Sequence, residues 1–226
     1  MIKIKRIEKL LKNKLFYIFP VIGGLLLLFF IRYIYKKITN TKFANSFDYL
    51  EELLNNTTNI LKKNNIDYWL DFGTCLGAYR DNDFIPHDTD IDISICVKDS
   101  KKLKQLIEDK NLMIKNNLKV VRNADDLVSF KLLKYKGNDT DKHVRANAED
   151  DPYIDIYIVD YKPRLDKIEF KGDIHALPVH TDKYLEYLYG KTWNKPIKDK
   201  HADFHDVKKN IKTSEYFKNN VESCDI

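Results

Sequence analysis

The sequence predicts a domain of the α/β or α+β class, a mixed sheet with flanking helices. Strand and helix patterns alternate in the first half of residues 43–226, and strand patterns cluster in the second half. The apolar content of 43%, with 14 Tyr and 12 Phe residues, is sufficient for a hydrophobic core. The length of 226 residues allows one domain of ordinary size and a tail.

The predicted elements follow one another along the chain. Apolar residues recur at helical spacing from Phe43 to Asn64. There follow a strand in IDYWLDF (66–72), a short helix in TCLGAYR (74–80), a strand in DIDISICV (90–97) and a helix in SKKLKQLIEDKN (100–111). Strands are then predicted in LKVVR (118–122), LVSFKLLKY (127–135) and YIDIYIVDY (153–161), a hairpin in KIEF-KGD-IHALPV (167–179) and a helix in DKYLEYLYG (182–190).

The N-terminal region has a different character. The run from Leu15 to Ile31 contains no charged residue, and apolar and aromatic residues extend it past Arg32. About 20 apolar residues in a helix span the hydrocarbon core of a bilayer, and a signal peptide would have a shorter apolar run and a small-residue cleavage site. The sequence therefore predicts a tail with a single transmembrane anchor in residues 1–42 and a separate folded domain in residues 43–226.

The charge is distributed unevenly between these two parts. Residues 1–42 contain ten Lys/Arg and the single Glu8, whereas the remaining residues contain 29 Lys/Arg and 33 Asp/Glu. A nucleic-acid-binding domain concentrates its basic residues on the domain itself, so no nucleic-acid partner is expected.

The basic residues on either side of the apolar run from Leu15 to Ile31 predict the location of the domain. Six basic residues precede this run and four follow it, which favours a cytosolic N-terminus and a lumenal or exported domain, in the endoplasmic reticulum or Golgi of a eukaryote. The sequons at Asn55, Asn56 and Asn138 fit a lumenal face but are expected by chance in a chain rich in Asn. Cys75, Cys96 and Cys224 form no recognisable disulfide framework, and Cys96 is interpreted as a small buried thiol.

Carboxylates are concentrated beside an apolar strand. In a strand Asp90 and Asp92 share one face, which Asp88 joins if the chain is already extended there, and the intervening Ile residues face the core. Solvated edge residues are one interpretation, and a divalent cation held by the carboxylates is the favoured one. An EF-hand is excluded because Ile93 stands where that loop requires Gly.

A turn precedes this strand. Gly73 allows close approach of a ligand, Thr74 offers a hydroxyl, and the amides of a helix N-terminus favour phosphate. A small-residue turn, a strand with two carboxylates and a third carboxylate on a later strand, here Asp155, form the pattern of the nucleotidyltransferase superfold.

The motifs resemble one family within that superfold. WLDFGTCLGAYRDNDFIPHDTDIDISI (69–95) is similar to the central motif of the LicD and fukutin-related family, close to L-x-x-G-T-L-L-G-x-x-R followed by I-P-W-D-x-D-x-D. YIDIYIVD (153–160) resembles its later strand, and YLEYLYGKTW with Pro196 its closing segment. Cys75 stands where Leu is usual, and His87 where Trp is usual.

The resemblance implies a membrane-anchored, metal-dependent phosphotransferase. Its donor would be a CDP-linked alcohol of the phosphocholine or ribitol phosphate type, and its acceptor a glycan hydroxyl. Asp90 and Asp92 would hold Mg²⁺ or Mn²⁺ with Asp88 assisting, and Asp155 would complete the metal site or act as general base. The remaining candidates are substrate-binding residues, with Gly73, Thr74 and Arg80 for the donor phosphates and His87 for the acceptor or the donor base.

Two other functional classes remain open. The chain could be another transferase of the same superfold that adds a nucleotide to a small molecule, a protein or RNA, or a non-catalytic membrane protein that retains the fold. His201 and His205 have the i, i+4 spacing of a zinc site, although a solvated polar segment is the favoured interpretation.

Overall fold

The computed structural model describes residues 27–28, 30–32, 47–86, 88–121, 129–134, 152–196 and 214–224. The chain divides into two units, Met1–Asn45 and Ser46–Ile226, each described here by itself. In the first unit residues 27–28 and 30–32 are helical. None of the helices in the described ranges combines the length and apolar character that a membrane crossing requires. The rest of the predicted span from Leu15 to Ile31 lies outside those ranges, so the anchor and the 42/43 boundary remain predictions.

The second unit alternates helices and strands in its first half. A helix (α1) covers residues 47–63 and is followed by β1 (Tyr68–Leu70), α2 (Phe72–Arg80) and β2 (Asp90–Cys96). After a short 3₁₀ turn come α3 (Ser100–Glu108), α4 (Lys110–Lys115), β3 (Leu118–Val121) and β4 (Ser129–Lys134).

Strands dominate the second half, as predicted. They are β5 (Tyr153–Val159), β6 (Tyr161–Pro163) and the two arms of the predicted hairpin, β7 (Leu165–Phe170) and β8 (Asp173–Pro178). Helix α5 (Thr181–Tyr189), helix α6 (Glu215–Asn220) and β9 (Val221–Ser223) complete the described chain.

Five strands form the central sheet in the order β1-β2-β5-β4-β3. Strands β2 and β5 are parallel, and the other neighbouring pairs are antiparallel. Two small sheets pair β6 with β9 and β7 with β8. The mixed α/β class predicted from the sequence is therefore confirmed.

Strand β2 is buried on both of its faces. Its Ile residues at 91, 93 and 95 have no exposed surface and belong to the hydrophobic core, as the alternation predicts. Asp92, Ser94 and Cys96 on the opposite face are also buried. Helix α2 packs against this strand and α5 packs against α2, so the Asp92 carboxylate lies inside the domain.

Cys96 is not a free thiol. It forms a disulfide with Cys224, which follows β9, whereas Cys75 is free and buried. The interpretation of Cys96 as a buried thiol is therefore wrong. The two cysteines are 128 residues apart in sequence, and the pairing of β9 with β6, which directly follows β5, helps to bring them together.

Candidate active site

Three carboxylates converge where the two parallel strands lie side by side. In the register of β2 and β5 Asp92 is paired with Asp155, and Asp90 is two residues earlier on the same face. Each of the three residues offers a carboxylate oxygen, and these oxygens lie within 4.8 Å of one another. Asp92 and Asp155 are buried, with 8% and 7% of their surface exposed, and Asp90 is half-buried.

This arrangement fits a divalent cation. Burial raises the pKa of Asp92 well above its ordinary value, and the charges of Asp90, Asp88 and Asp155 raise it further. Several carboxylates in so small a space repel one another, and a cation would offset that repulsion. Oxygen ligands from carboxylates are those preferred by Mg²⁺ and Mn²⁺. The buried acidic triad is thus able to hold a metal.

Asp88 lies at the edge of the same cluster. Burial raises its pKa to about 8, with further contributions from a hydrogen bond to Asp90 and from the charge of Asp90. A Cβ atom on Gly73 would lie 3.1 Å from Asp88 Oδ2 and 3.4 Å from Asp92 Oδ2. Any side chain at position 73 would therefore crowd these two carboxylates.

The turn before α2 contacts Asp92 directly. The Gly73 amide donates a hydrogen bond to Asp92 Oδ2 at 3.1 Å, and the Asp92 amide donates to Thr74 Oγ1 at 2.8 Å. Thr74 is only 3% exposed. The sequence predicts that Gly73 and Thr74 face donor phosphates, whereas in the structure both hold Asp92, and the Thr74 side chain lies inside the protein.

Arg80 lies farther along α2 than the residues described above. Arg80 ends α2, about 10 Å along the helix axis from Gly73 at 1.5 Å per residue. Its guanidinium forms an ion pair of 2.6 Å with Asp81. His87 is outside the described residues, as are His201 and His205.

Asp71 caps α2 and was not among the site residues predicted from the sequence. This carboxylate is fully buried and accepts hydrogen bonds from the Phe72 amide at 2.8 Å, from Ser94 Oγ at 2.6 Å and from the Tyr184 hydroxyl. Burial raises its pKa, and these donors oppose the effect. Asp is a common N-cap residue, but the helix was predicted to begin at Thr74, three residues after Asp71, so this signal was not recognised. The predicted strand IDYWLDF (66–72) included Asp71 and Phe72, but in the structure β1 ends at Leu70 and α2 begins at Phe72.

Tyr157 was missed as well. Its hydroxyl donates to Asp92 Oδ1 at 3.3 Å, and its ring packs against Phe72 with 5.0 Å between centroids. The period of two along β5 places Tyr157 on the same face as Asp155, so the sequence contained the signal.

Comparisons with known proteins agree with the motifs. The family described as LicD/FKTN/FKRP, nucleotidyltransferase domain, matches residues 65–180. Human ribitol-5-phosphate transferase FKTN is 29% identical over 157 residues, which is 66% of this chain and 34% of that protein. The chain thus spans about a third of the length of this relative. An uncharacterized protein of Rickettsia prowazekii is 45% identical over 58 residues, 26% of this chain and 22% of that protein.

A solved structure of lincosamide antibiotic adenylyltransferase LnuA with lincomycin bound is 15% identical. The match covers 72% of this chain and 95% of that one, with a TM-score of 0.41, which is too low to carry an argument.

The family match covers more than half of the chain and contains the turn at Gly73 and the three converging carboxylates. It confirms the resemblance seen in the motifs. The chain belongs to the LicD/FKTN/FKRP nucleotidyltransferase-domain family.

Proposed function

We propose that this domain is a metal-dependent phosphotransferase that moves a phosphorylated alcohol from a CDP-linked donor to a glycan hydroxyl. Family membership and the similarity to ribitol-5-phosphate transferases support an enzyme that transfers a phosphate group. The observation that carries the proposal is the convergence of Asp90, Asp92 and Asp155. The transferred group is of the ribitol phosphate or phosphocholine type.

The three carboxylates hold Mg²⁺ or Mn²⁺ in this proposal, and Asp88 assists at the edge of the site. A bound cation would neutralise pyrophosphate charge and polarise the bond that breaks, effects worth several kcal/mol in the transition state. Because Gly73 has no Cβ atom, no side chain presses on Asp88 and Asp92 from this side. Asp155 either completes the metal site or takes the proton of the acceptor hydroxyl.

Three further residues, Thr74, Arg80 and His87, have supporting roles in this proposal. Thr74 acts through Asp92, because its hydroxyl accepts the Asp92 amide. Arg80 contacts the donor only where the donor extends toward the end of α2, and Asp81 already balances its charge. His87 contacts the acceptor or the donor base in the same proposal.

The domain works in an oxidising compartment, attached to a membrane by the N-terminal span. The disulfide between Cys96 and Cys224 supports this location, because disulfides persist in secretory compartments and are rare in the cytosol. The apolar run from Leu15 to Ile31 and the charges at its ends support an anchor with a cytosolic N-terminus. In a eukaryote this places the domain in the lumen of the endoplasmic reticulum or Golgi.

The test is mass spectrometry of the products that the protein forms from CDP-ribitol, CDP-choline and nucleoside triphosphates, with glycan acceptors and Mg²⁺ or Mn²⁺. We expect the acceptor to gain the mass of an alcohol phosphate, and excess EDTA to abolish this product while the circular dichroism spectrum stays unchanged. Transfer that persists in EDTA would exclude the metal-dependent mechanism. A gain of nucleotide mass would assign the chain to the other transferase class, and no product from any donor would favour a non-catalytic protein.

A further inference from the structure

The turn that enters the site has an unfavourable backbone conformation. Phe72 has a φ of 39°, in the left-handed region that residues with a Cβ atom seldom adopt. Its side chain is buried, and its ring packs against Tyr157. Such a conformation persists only where surrounding contacts hold it, and it is often found at functional sites.

Asp71 supplies those contacts. Its Oδ1 accepts the Phe72 amide, which fixes the backbone at the start of the turn. Its own amide donates to the Asp92 carbonyl at 3.0 Å, and its carbonyl accepts the Cys75 amide at 2.9 Å. Asp71 is therefore bonded on both sides of the strained residue.

The carboxylate of Asp71 also joins three separate elements. Ser94 on β2 donates to Oδ2, and Tyr184 on α5 donates to Oδ1. A residue that only capped α2 would need a single hydrogen bond to a first-turn amide. The additional bonds fix α2 relative to the strand that carries Asp92 and to helix α5.

The conformation of this turn determines two contacts of Asp92. Directly after Phe72, the Gly73 amide reaches Asp92 Oδ2, and Thr74 Oγ1 accepts the Asp92 amide. If Phe72 relaxed to an ordinary φ, the Gly73 N–H would turn away and Asp92 would lose the donor that orients its carboxylate.

We propose that Asp71, fixed by Tyr184, is a positioning residue that orients Asp92 toward the metal. The inference rests on the proposed function in so far as Asp92 is a metal ligand. Asp71 itself touches neither cation nor substrate in this proposal, because its oxygens are occupied by the Phe72 amide and two hydroxyls.

The test uses a matched pair of tyrosines that lie in one aromatic cluster, with ring centroids 5.4 Å apart. The Tyr184 hydroxyl donates to Asp71, whereas the Tyr216 hydroxyl donates to the Val179 carbonyl at 2.8 Å. Tyr184→Phe and Tyr216→Phe each remove one buried hydroxyl and preserve the ring. Only the first change acts on Asp71.

Two further variants test the carboxylate itself. Asp71→Ala removes the two carboxylate oxygens that accept from the Phe72 amide and from the Ser94 and Tyr184 hydroxyls. Asp71→Asn keeps the Oδ1 acceptor for the Phe72 amide and the Tyr184 hydroxyl, and the Ser94 hydroxyl can rotate to accept from the new amide. The conservative variant should therefore restore what Asp71→Ala loses.

The readouts are amide hydrogen exchange across residues 72–76 without metal, Mn²⁺ affinity by titration calorimetry, and kcat and KM for the active donor. We expect Asp71→Ala to speed exchange at Gly73 and to weaken Mn²⁺ binding about tenfold, and Asp71→Asn to stay within about threefold of the unmodified protein. Tyr184→Phe should weaken Mn²⁺ binding about threefold with a lower kcat, and Tyr216→Phe should leave both values unchanged.

The proposal is overturned if Asp71→Ala leaves both the exchange and the Mn²⁺ affinity unchanged, or if the two tyrosine variants behave alike. Should Asp71→Ala fail to fold, the tyrosine pair decides the question alone. A protein that binds Mn²⁺ but transfers nothing would refute the proposed function and leave the positioning role supported. If the unmodified protein bound no Mn²⁺, the hydrogen exchange would still decide the role of Asp71 in the turn.

Discussion

Asp92 contacts both the turn before α2 and the neighbouring strand β5. Its carboxylate accepts hydrogen bonds from the Gly73 amide and the Tyr157 hydroxyl, and Asp155 faces it across the parallel strands. The Gly73 amide and the Tyr157 hydroxyl offset part of the negative charge of Asp92, but they do not offset the charges of the neighbouring carboxylates. The excess negative charge is therefore the property of the site that a cation would remove.

Asp155→Asn tests whether the third carboxylate is needed. The change preserves the side-chain shape and removes one charge from the triad, so we expect activity to fall about a hundredfold or more, since each 1.36 kcal/mol lost at the transition state is tenfold in rate. The metal-free protein should be as stable as before or slightly more stable, because carboxylate repulsion decreases. Steady-state kinetics and urea unfolding measure the two effects.

Asp160 is the control for this substitution. It follows the same strand and its side chain is exposed, so Asp160→Asn should leave activity nearly unchanged. A near-normal rate for Asp155→Asn, or an inactive Asp160→Asn, would show that Asp155 is not the third carboxylate.

Two glycines of α2 should respond to Ala in opposite ways. A Cβ at Gly73 would crowd Asp88 and Asp92, and carboxylates displaced by a few tenths of an ångström should lower activity about tenfold with little loss of stability. A Cβ at Gly77 would lie 2.6 Å from the Asp83 carbonyl oxygen, so Gly77→Ala should lower the free energy of unfolding by about 1–3 kcal/mol. Kinetics and urea unfolding of both variants check this contrast, and the reverse pattern would contradict it.

At the scale of elements, the C-terminal segment supports the site from outside the family match. Helix α6 packs against α5 through Phe217, whose ring lies 6.2 Å from that of Tyr184, and β9 pairs with β6. The disulfide then ties this segment to the end of β2. Residues 214–224 are thus linked to the carboxylate strand by packing, by pairing and by a covalent bond.

Loss of the disulfide should destabilise the domain. The cysteines are 128 residues apart, and the loop-entropy relation gives about 5 kcal/mol for a loop of that length, an upper value for such bonds. We expect the double variant Cys96→Ser/Cys224→Ser to lose about 3–5 kcal/mol in urea unfolding. Dithiothreitol should destabilise the unmodified protein by a similar amount and leave the double variant unaffected. Equal sensitivity of both proteins to the reductant would contradict the assignment.

His175 on the β7–β8 hairpin should make the stability of the domain depend on pH. Burial lowers the pKa of His175 from 6.5 to about 4, the charge of Lys62 adds to this effect, and Asp173 opposes it. Between these values the unfolded chain binds a proton that the folded chain excludes, so the free energy of unfolding falls as the pH falls from about 6.5 to 4. The full loss is about 3 kcal/mol at 1.36 kcal/mol per pKa unit.

His175→Gln removes the titrating group and keeps a polar partner for the Tyr68 hydroxyl, which lies 2.9 Å from His175 Nδ1. Urea unfolding at a series of pH values should show a smaller loss of stability on acidification for this variant than for the unmodified protein. The same pH dependence in both proteins would assign the loss to other groups.

Across the whole molecule, features that depend on neighbouring residues could be predicted from the sequence, whereas contacts between distant segments could not. The period of two placed Asp90 and Asp92 opposite the buried Ile residues, and the motif order indicated that Asp155 belongs with them. The sequence could not supply the register that pairs Asp92 with Asp155, nor the Cys96–Cys224 bond, because both depend on segments far apart in the chain. The hydrogen bond from the Asp92 amide to Thr74 Oγ1 could not be read from the sequence for the same reason, since the two residues are on different elements.

The N-terminal region should be separable from the folded domain. Helix α1 carries Leu50, Leu53 and Leu54 into the core of the second unit, so a chain that begins at Thr41 keeps every described element of that unit. We expect it to be monodisperse without detergent and to bind Mn²⁺ like the full chain, whereas the full chain should need detergent or a membrane. Size-exclusion chromatography and calorimetry of both proteins measure this. Aggregation of the shorter chain, with the full chain dispersing freely in buffer, would show that the apolar run is part of the folded core.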